Sequence, residues 1–290
     1  DSLFWGEGWM WDDDPGSYSP HLTPLCIDKN SISIAFGPSV PGKPAEIRLI
    51  PDNNFIPVRN SSVTVNGNKS DIFITRDWIN RNNTIIVKGS IGKDSRRDTV
   101  SVNVNNPALY FLNLMKESMV RNGVLFNGTV DTMTMDKETT KIFSIERNID
   151  SVIINANKNS DNLNAEMLLR ALPLQSRGKY SSAKKGIVLV DSLISLSGLN
   201  PKSYRIADGS GLSFYNLLSA ELITDILKYI YYQRPDIYKN LYDSFPVSGA
   251  DGTLINRMKD SVLYNKVHAK TGSLSGVSNL SGYLNSGNNH

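Results

Sequence analysis

Two short polar motifs, Ser160-Asp161-Asn162 and Lys270-Thr271-Gly272, contain the residue types that acyl-transfer chemistry needs. A serine hydroxyl can relay a proton, a lysine ammonium supplies a positive field, and further hydroxyls such as that of Thr271 can hold a carboxylate. Gly272 lets a ligand approach the backbone closely. Taken singly, each motif has a plain structural explanation. Ser, Asp and Asn are typical of helix starts, and Lys-Thr-Gly suits a solvent-facing turn.

A third feature, Asp208-Gly209-Ser210-Gly211-Leu212-Ser213, lies between the other two along the chain. Its glycines and aspartate predict a tight turn before a helix. The polar and glycine-containing segment around the lysine continues beyond Gly272, so that the motif extends from Lys270 to Val277. Three such motifs in this order form a specific combination, although any one of them arises easily by chance.

With these motifs the chain resembles the class C low-molecular-mass penicillin-binding proteins, the D-alanyl-D-alanine carboxypeptidase/endopeptidases of the penicillin-binding protein 4 type. The resemblance runs nearly end to end and includes three further segments: Gly6-Glu7-Gly8-Trp9-Met10-Trp11-Asp12-Asp13, Asn127-Gly128-Thr129 and Asp251-Gly252-Thr253-Leu254. It implies an α+β fold, in which a penicillin-recognising domain of the serine β-lactamase/transpeptidase type carries an inserted β-rich domain. The implied domains are residues 1–105, β-rich, and residues 106–290, penicillin-recognising.

The resemblance also implies a mechanism. A serine in a Ser-x-x-Lys motif attacks the D-Ala-D-Ala carbonyl of a peptidoglycan stem peptide, and β-lactam antibiotics acylate the same serine. Ser160 would relay a proton to the leaving amine beside Lys270, and Asn162 would hydrogen-bond the substrate amide. Thr271 and Ser273 would hold the terminal carboxylate, and the Ser273 N–H would contribute to the oxyanion hole.

Four further positions bear on the diaminopimelate arm of peptidoglycan. Asp13 and Tyr18 match family positions that contact this arm, which implies that its ammonium is still bound. Phe214 stands where the family often has arginine, and Ser275 stands where it often has glutamine. These two substitutions leave recognition of the rest of the arm open.

The Ser-x-x-Lys motif is expected upstream of the Trp9–Trp11 segment, and no match lies there. Ser90 to Lys93, Ser181 to Lys184 and Ser182 to Lys185 fit the spacing in the wrong places. We therefore expect the sequence to be a portion of a longer periplasmic or cell-envelope protein and to be inactive alone. The nucleophile and a signal peptide would lie upstream, and the family's last strand and helix would follow Asn288-Asn289-His290.

Composition excludes several other functions. The net charge of +3 gives no electrostatic case for nucleic acid or a membrane surface as partner, and no apolar run is long enough to span a bilayer. Cys26 is the only cysteine, and the histidines are His21, His268 and His290. The sequence therefore predicts neither a metal site nor a cofactor, and it disfavours a Ser-His-Asp hydrolase.

Two alternatives remain open at this point. A serine β-lactamase-like enzyme would share the fold, although the β-rich insertion and the Trp9–Trp11 segment disfavour it. A non-catalytic peptidoglycan-binding module would keep the positioning residues and lack the nucleophile. A Ser-x-x-Lys motif in the upstream coding sequence would favour the peptidase over the binding module.

The elements that must position these motifs are predicted from periodicity and turn residues. Short β-type runs fill the first third, at 46–50, 84–88 and 99–104, and Val100, Val102 and Val104 alternate onto one face. A helix is predicted from Asn106-Pro107 to Gly123, with its apolar residues at Leu109, Leu112, Met115 and Met119. Further helices are predicted at 162–172, 183–197 and 216–233, the last with an apolar face of Leu217, Leu218, Leu222 and Ile226. Strands are predicted at 266–271 and 276–284.

Overall fold

The computed structural model describes residues 4–133, 140, 143–176 and 181–285, and these residues fall into two units. The β unit contains residues 4 and 5 and the described part of Met10–Thr139. The helical unit contains Gly6–Trp9 and the described part of Thr140–His290. The α+β class expected from the sequence is confirmed. The expected chain end at 288–290 lies outside the described residues.

The β unit consists of two small sheets. One contains β1 (Ser31–Gly37), β2 (Glu46–Ile50) and β7 (Asp98–Asn103) in the antiparallel order β2-β1-β7. In the other, β6 (Ile85–Gly92) pairs in parallel with β3 (Val58–Asn60) and β4 (Val63–Val65), and antiparallel with β5 (Asp71–Arg76). The three predicted β-type runs correspond to β2, β6 and β7.

One apolar core lies within the β unit. Alternation along the strands places Ile32, Ile34, Val87 and Val102 inside it, each at most 5% exposed. The predicted common face of the last β-type run is confirmed, because Val104 is fully buried and Val100 packs against the same core.

The first helix, α1 (Pro107–Arg121), completes this core. The Asn106 side chain caps α1 by accepting a hydrogen bond from the Leu109 N–H at 3.2 Å. The helix was predicted, but its buried face was not. Tyr110 and Leu114, one turn apart, enter the core, whereas Met115 is 45% exposed. The helix therefore packs with the strands, while the predicted domain boundary at 105/106 precedes it.

A buried ion pair ties β5 and β7 to the chain segment before β1. The Arg76 guanidinium, 1% exposed, pairs with Asp14 and donates to Asn103 Oδ1 at 2.8 Å. Asn103 in turn donates to the Ser19 carbonyl at 2.8 Å. Burial alone would raise the pKa of Asp14, but the hydrogen bond from His21 and the charge of Arg76 outweigh it and lower that pKa.

The helical unit begins, in the described residues, with α2 (Ile149–Lys158) and α3 (Asn162–Ala171). It continues with α4 (Ala183–Leu196), α5 (Ala220–Gln233) and α6 (Pro235–Ser244), and with the antiparallel pair β8 (Val267–Leu274) and β9 (Val277–Leu284). In the described part of the chain, no helix is both long and apolar enough to cross a membrane.

The predicted helix starting at 216 begins four residues late. The Ser219 hydroxyl caps α5 by accepting a hydrogen bond from the Leu222 N–H at 3.1 Å. Leu217 and Leu218 precede the helix and are 62% and 47% exposed, so they form no part of its apolar face. Leu217 instead pairs with Arg205 in an isolated β-bridge.

The buried ion pair predicts acid sensitivity of the β unit. Asp14→Asn leaves Arg76 buried without its anionic partner, so the free energy of unfolding at pH 7 should fall by about 3 kcal/mol. Since the folded pKa of Asp14 lies below its unfolded value of about 3.9, this stabilisation is present above that value and is lost as pH falls through the folded pKa. In urea titrations, the difference in free energy of unfolding between the wild type and Asp14→Asn should therefore shrink below about pH 4.

A matched control is Asp98→Asn, at the exposed start of β7. This substitution should change the free energy of unfolding little at pH 7 and at pH 3. An equal loss of stability for Asp14→Asn at pH 7 and at pH 3 would contradict the proposed role of the Asp14 charge.

Candidate active site

Ser160-Asp161-Asn162 forms the corner between α2 and α3. The Asp161 side chain, 6% exposed, caps α3 by accepting a hydrogen bond from the Asn164 N–H at 3.0 Å. The Asn155 amide of α2 donates to the other oxygen of the same carboxylate at 2.9 Å. Asp161, the middle residue of the motif, therefore caps a helix, as expected from its residue type. It also fixes the corner that carries Ser160.

Ser160 has a left-handed backbone conformation, with φ of 49°. This conformation is uncommon for a residue with a β-carbon and is concentrated at functional sites. The Asp161 N–H donates to the Ala156 carbonyl at 3.1 Å and so helps to hold the corner closed. The strain is thus stored at the residue whose hydroxyl the sequence predicts to be reactive.

Lys270, in the middle of β8, reaches this corner. Its ammonium donates to the Ser160 hydroxyl and, at 2.6 Å, to the Thr271 carbonyl. Burial lowers the pKa of Lys270, because desolvation penalises the charged form. The structure therefore brings together the two motifs that the sequence separates by 110 residues.

The remaining residues of the lysine motif lie along the hairpin of β8 and β9. Thr271 donates from its hydroxyl to the Thr253 hydroxyl at 2.8 Å, and Thr271 and Ser273 share one face of the strand. A β-carbon at Gly272 would meet Asn279 at an ordinary 3.5 Å, so packing within the chain does not require glycine there.

Ser275 is exposed in the two-residue turn that joins β8 to β9. Gly276 completes this turn with φ of 75°, a conformation that favours glycine. Ser273 is also exposed, so both serine side chains are accessible to a ligand.

Asp251-Gly252-Thr253 connects the two sides of the site and was assigned no function from the sequence. Asp251 forms an ion pair with Lys158 at the end of α2, and it accepts a hydrogen bond from the Val247 N–H at 2.8 Å. Thr253 contacts Thr271 of β8. Lys158 and Thr271 are close neighbours of Ser160 and Lys270 respectively, so this turn braces both. Its resemblance to a family segment was the sequence signal that could have identified it.

The loop Asp208–Ser213 is organised by two buried carboxylates. Asp208 accepts hydrogen bonds from the Trp9 indole, the Gly211 N–H and the Ser213 N–H at 2.8 to 2.9 Å. The second carboxylate, Glu166 of α3, is fully buried; its hydrogen-bond donors are the N–H groups of Gly209 and Ser210, both at 2.9 Å.

Glu166 was not predicted to matter, although it lies one helical turn beyond Asn162. It also forms an ion pair with Arg170. A β-carbon at Gly209 would lie 2.6 Å from the Ala165 carbonyl oxygen, so glycine is needed for the loop to approach α3. The predicted tight turn is present, but the next helix starts only at Ala220. Phe214 follows the loop and is 44% exposed.

Asp13 and Tyr18 lie in the β unit and are bonded to each other. The Tyr18 hydroxyl donates to Asp13 at 3.1 Å, and the Met10 N–H donates to the other carboxylate oxygen at 3.0 Å. Burial, followed by the charge of Asp13, raises the pKa of Tyr18. The two residues predicted to bind an ammonium group therefore form one local pair, and their function stays a prediction.

The three Ser-x-x-Lys matches do not place serine and lysine on the first turn of a buried helix. Ser90 lies inside β6, paired with Val63 and Asp71. Ser182 caps α4, whose Lys184 and Lys185 are exposed.

The third of these matches begins at Ser181, and the sequence contains one more. The Ser181 hydroxyl donates to the Arg170 carbonyl, which occupies it in fixing the start of α4. A fourth match, Ser176 to Lys179, extends outside the described residues.

The His268 ring packs against Tyr242, next to the site. Its ring stacks on Tyr242 at 3.9 Å between centroids, and its Nδ1 lies 3.3 Å from the Tyr242 carbonyl oxygen. Burial lowers the pKa of His268, which favours the neutral ring. These contacts give His268 a packing role in β8, the strand that also carries Lys270.

Comparison with known proteins shows similarity over nearly the whole chain. Residues 1–289 match the model of the D-Ala-D-Ala carboxypeptidase 3 (S13) family. The chain is 29% identical to a D-alanyl-D-alanine carboxypeptidase of an Actinomadura species, over 96% of this chain and 54% of that protein. It is 26% identical to D-alanyl-D-alanine carboxypeptidase DacB of Haemophilus influenzae, over 96% of this chain and 58% of that protein. The chain thus spans little more than half the length of these relatives.

Solved structures show a similar fold. The crystal structure of penicillin-binding protein 4 (dacB) from Haemophilus influenzae matches with a TM-score of 0.78 and 25% identity, over 98% of this chain and 63% of that chain. The same protein complexed with a novel β-lactam matches with a TM-score of 0.70 and 26% identity, over 89% of this chain and 60% of that chain. The resemblance inferred from the motifs is confirmed.

The backbone strain at Ser160 can be measured with two variants. Ser160→Gly and Ser160→Ala both remove the hydroxyl that faces Lys270, so they differ mainly in backbone preference. Because glycine adopts the left-handed conformation freely, Ser160→Gly should be more stable than Ser160→Ala by about 1 kcal/mol in urea unfolding.

The same pair of substitutions at Ser192, in the exposed middle of α4, is the control. In that position the glycine variant should be less stable than the alanine variant by about 1 kcal/mol. Glycine being the less stable residue at both positions would show that Ser160 carries no left-handed strain.

Proposed function

Because the chain belongs to the D-Ala-D-Ala carboxypeptidase 3 (S13) family, we propose that it forms part of a serine-type D-Ala-D-Ala carboxypeptidase/endopeptidase. This enzyme cleaves peptidoglycan stem peptides through an acyl-enzyme and is inhibited by β-lactams. It acts in the periplasm or cell envelope, where this substrate occurs. The nucleophilic serine belongs to a Ser-x-x-Lys motif outside the 290 residues, and these residues alone are inactive.

The contact between Lys270 and Ser160 is the observation that carries this proposal. An ammonium with a lowered pKa touches a serine hydroxyl that is held in a strained corner. A more acidic ammonium is a better proton donor at neutral pH. The pair is therefore suited to deliver a proton to a leaving amine, the step in which amide cleavage most needs an acid.

The reaction follows in two stages. The nucleophilic serine gives its proton to the lysine of its own Ser-x-x-Lys motif as it bonds to the D-Ala-D-Ala carbonyl carbon. The N–H of Ser273 and that of the nucleophile hold the developing oxyanion. As the C–N bond breaks, Ser160 gives its proton to the departing amine and is reprotonated from the Lys270 side. Water then attacks the ester and releases the shortened peptide.

Binding falls to the residues around this pair. The Asn162 side chain hydrogen-bonds the substrate amide, and Thr271 and Ser273 hold the terminal carboxylate. A complex of a β-lactam with the related penicillin-binding protein 4 supports the same ligand class for this chain.

Residues of each unit are assigned to the stem-peptide arm by the resemblance to the family. In the β unit, Asp13 and Tyr18 match positions that contact its ammonium. In the helical unit, Phe214 and Ser275 stand where the family often has arginine and glutamine. The exposed apolar ring of Phe214 favours an arm with less charge than diaminopimelate.

Labelling with fluorescent penicillin tests the proposal directly. The full-length protein that contains these residues should form a covalent adduct that survives denaturing electrophoresis, because the acyl-enzyme is an ester. The 290-residue chain should not be labelled, and excess unlabelled benzylpenicillin should block labelling of the longer protein.

Folded full-length protein that stays unlabelled would overturn the peptidase and would favour the non-catalytic peptidoglycan-binding module. Rapid hydrolysis of the bound penicillin, in place of a stable adduct, would favour the serine β-lactamase-like enzyme.

Lys270 offers a test of the proton-transfer step. Lys270→Ala in the full-length protein should lower the acylation rate constant by about 100-fold or more, because it removes both the field and the proton source. Stopped-flow labelling measures this rate, and circular dichroism should show an unchanged fold. Lys239→Ala, at an exposed position of α6, should acylate like the wild type. An unaltered rate for Lys270→Ala would remove this lysine from the mechanism.

A further inference from the structure

The hydroxyl of Thr253 lies at the candidate site without an assigned role. It accepts a hydrogen bond from the Thr271 hydroxyl at 2.8 Å, and Thr253 is exposed. Thr271 directly follows Lys270, the half-buried cation of the site. Two neighbouring hydroxyls beside a lysine form a group of donors suited to an anion.

The bond between the two threonines leaves donor capacity for a ligand. With Thr271 donating to Thr253, the hydroxyl hydrogen of Thr253 is not used in that bond. When Thr271 turns its hydrogen towards an anion, Thr253 can donate to the oxygen of Thr271 or to the anion itself. Either arrangement places Thr253 in the hydrogen-bond network of the bound anion and strengthens the donor at Thr271.

The position of Thr253 is fixed on both sides. Leu254, fully buried, follows it, and the Leu254 carbonyl accepts a hydrogen bond from the Gly249 N–H at 3.0 Å. Asp251, two residues before Thr253, is held by the ion pair with Lys158.

Gly252 also constrains the turn that carries Thr253. It has φ of 53°, and a β-carbon there would lie only 2.8 Å from the Lys158 carbonyl oxygen, so the turn packs closely against the end of α2. A hydroxyl presented by such a constrained turn loses little conformational entropy when a ligand binds.

We propose that Thr253 is a specificity-determining residue that recognises, together with Thr271, the carboxylate of the ligand. This inference rests on the proposed function for the identity of the ligand, a peptide ending in D-Ala-D-Ala or a β-lactam. It adds to that function a third chain segment, separate from the Ser160 corner and the Lys270 strand, that discriminates a free carboxylate from its neutral derivatives.

Equilibrium binding tests the inference without relying on catalysis. The probes are an acetylated tripeptide ending in D-Ala-D-Ala and the same peptide with a C-terminal amide. Both are measured by calorimetry on full-length protein in which the serine of the Ser-x-x-Lys motif is replaced by alanine, so that the peptides are not cleaved during the titration. Thr253→Val removes the hydroxyl at nearly constant shape. It should weaken binding of the free acid by about 10-fold to 100-fold and leave binding of the amide nearly unchanged. Thr253→Ser, which keeps the hydroxyl, should bind both peptides like the wild type.

Acylation gives a second readout. For Thr253→Val, the second-order rate constant should fall for benzylpenicillin and not for its methyl ester. Thr224→Val on α5, where the hydroxyl bonds the Ala220 carbonyl, is the matched control and should resemble the wild type. Unfolding temperatures of all variants identify any that fail to fold.

The outcomes separate the two proposals. Equal losses for acid and amide would show that Thr253 acts only on the fold and would overturn the inference, as would no loss for either. Acid-selective binding that depends on Thr253 in a protein that penicillin does not acylate would support the inference and overturn the peptidase. A wild-type protein that binds neither peptide and is not acylated would overturn both.

Discussion

The candidate site depends on one constraint, the need to satisfy a lysine ammonium that is partly removed from water. Desolvation of a charge is costly unless hydrogen-bond acceptors replace the lost water. For Lys270 these acceptors are the Ser160 hydroxyl and the Thr271 carbonyl. Both must stay in place for the cation to remain buried. The chain segments that hold them are therefore under the same constraint as the lysine, and chemistry and folding stability meet at this contact.

Buried carboxylates hold in place the chain segments that surround Lys270. Asp161 caps α3 beside Ser160, and Glu166 and Asp208 accept backbone N–H groups from the loop that ends before Phe214. A carboxylate that accepts two or three N–H donors fixes a loop without help from a regular strand or helix. Asp251, whose side chain is 45% exposed, accepts the Val247 N–H and pairs with Lys158 beside the turn that carries Thr253. Irregular backbone around the site is thus held by acidic side chains, whereas the β unit relies mainly on an apolar core.

The parts of the fold that could be predicted are those fixed by local sequence. Asn106-Pro107 predicted the start of α1, alternation predicted β7, and the helix start indicated by Ser160-Asp161-Asn162 is the cap of α3. The features that were predicted wrongly or missed depend on tertiary contacts. The buried face of α1 is set by the sheet that it meets, so Tyr110 enters the core and Met115 does not. α2 and α6 were missed, and their packing against each other joins segments about 80 residues apart along the sequence.

The same distinction explains what was missed in the site. Ser160 and Lys270 belong to motifs that a sequence can display, although their contact cannot be derived from either motif alone. Glu166 has an ordinary residue type at an ordinary spacing, and Thr253 lies in a family-like segment to which no function was assigned. Their importance comes from what they touch, the loop N–H groups in one case and the Thr271 hydroxyl in the other.

A site built in this way has a consequence for how catalysis and binding are divided. The contact between Lys270 and Ser160, the hydroxyl of Thr271 and the turn that carries Thr253 all lie within one unit and are held by contacts inside that unit. Preorganisation of donors and charges is the larger part of what such sites contribute to a reaction, while the nucleophile supplies the covalent step. If the proposed function holds, removing the nucleophile would abolish acylation and leave the proposed binding of the carboxylate largely intact. The contacts that hold the Ser160 corner, Lys270 and Thr271 in place lie within this chain and do not depend on the nucleophile.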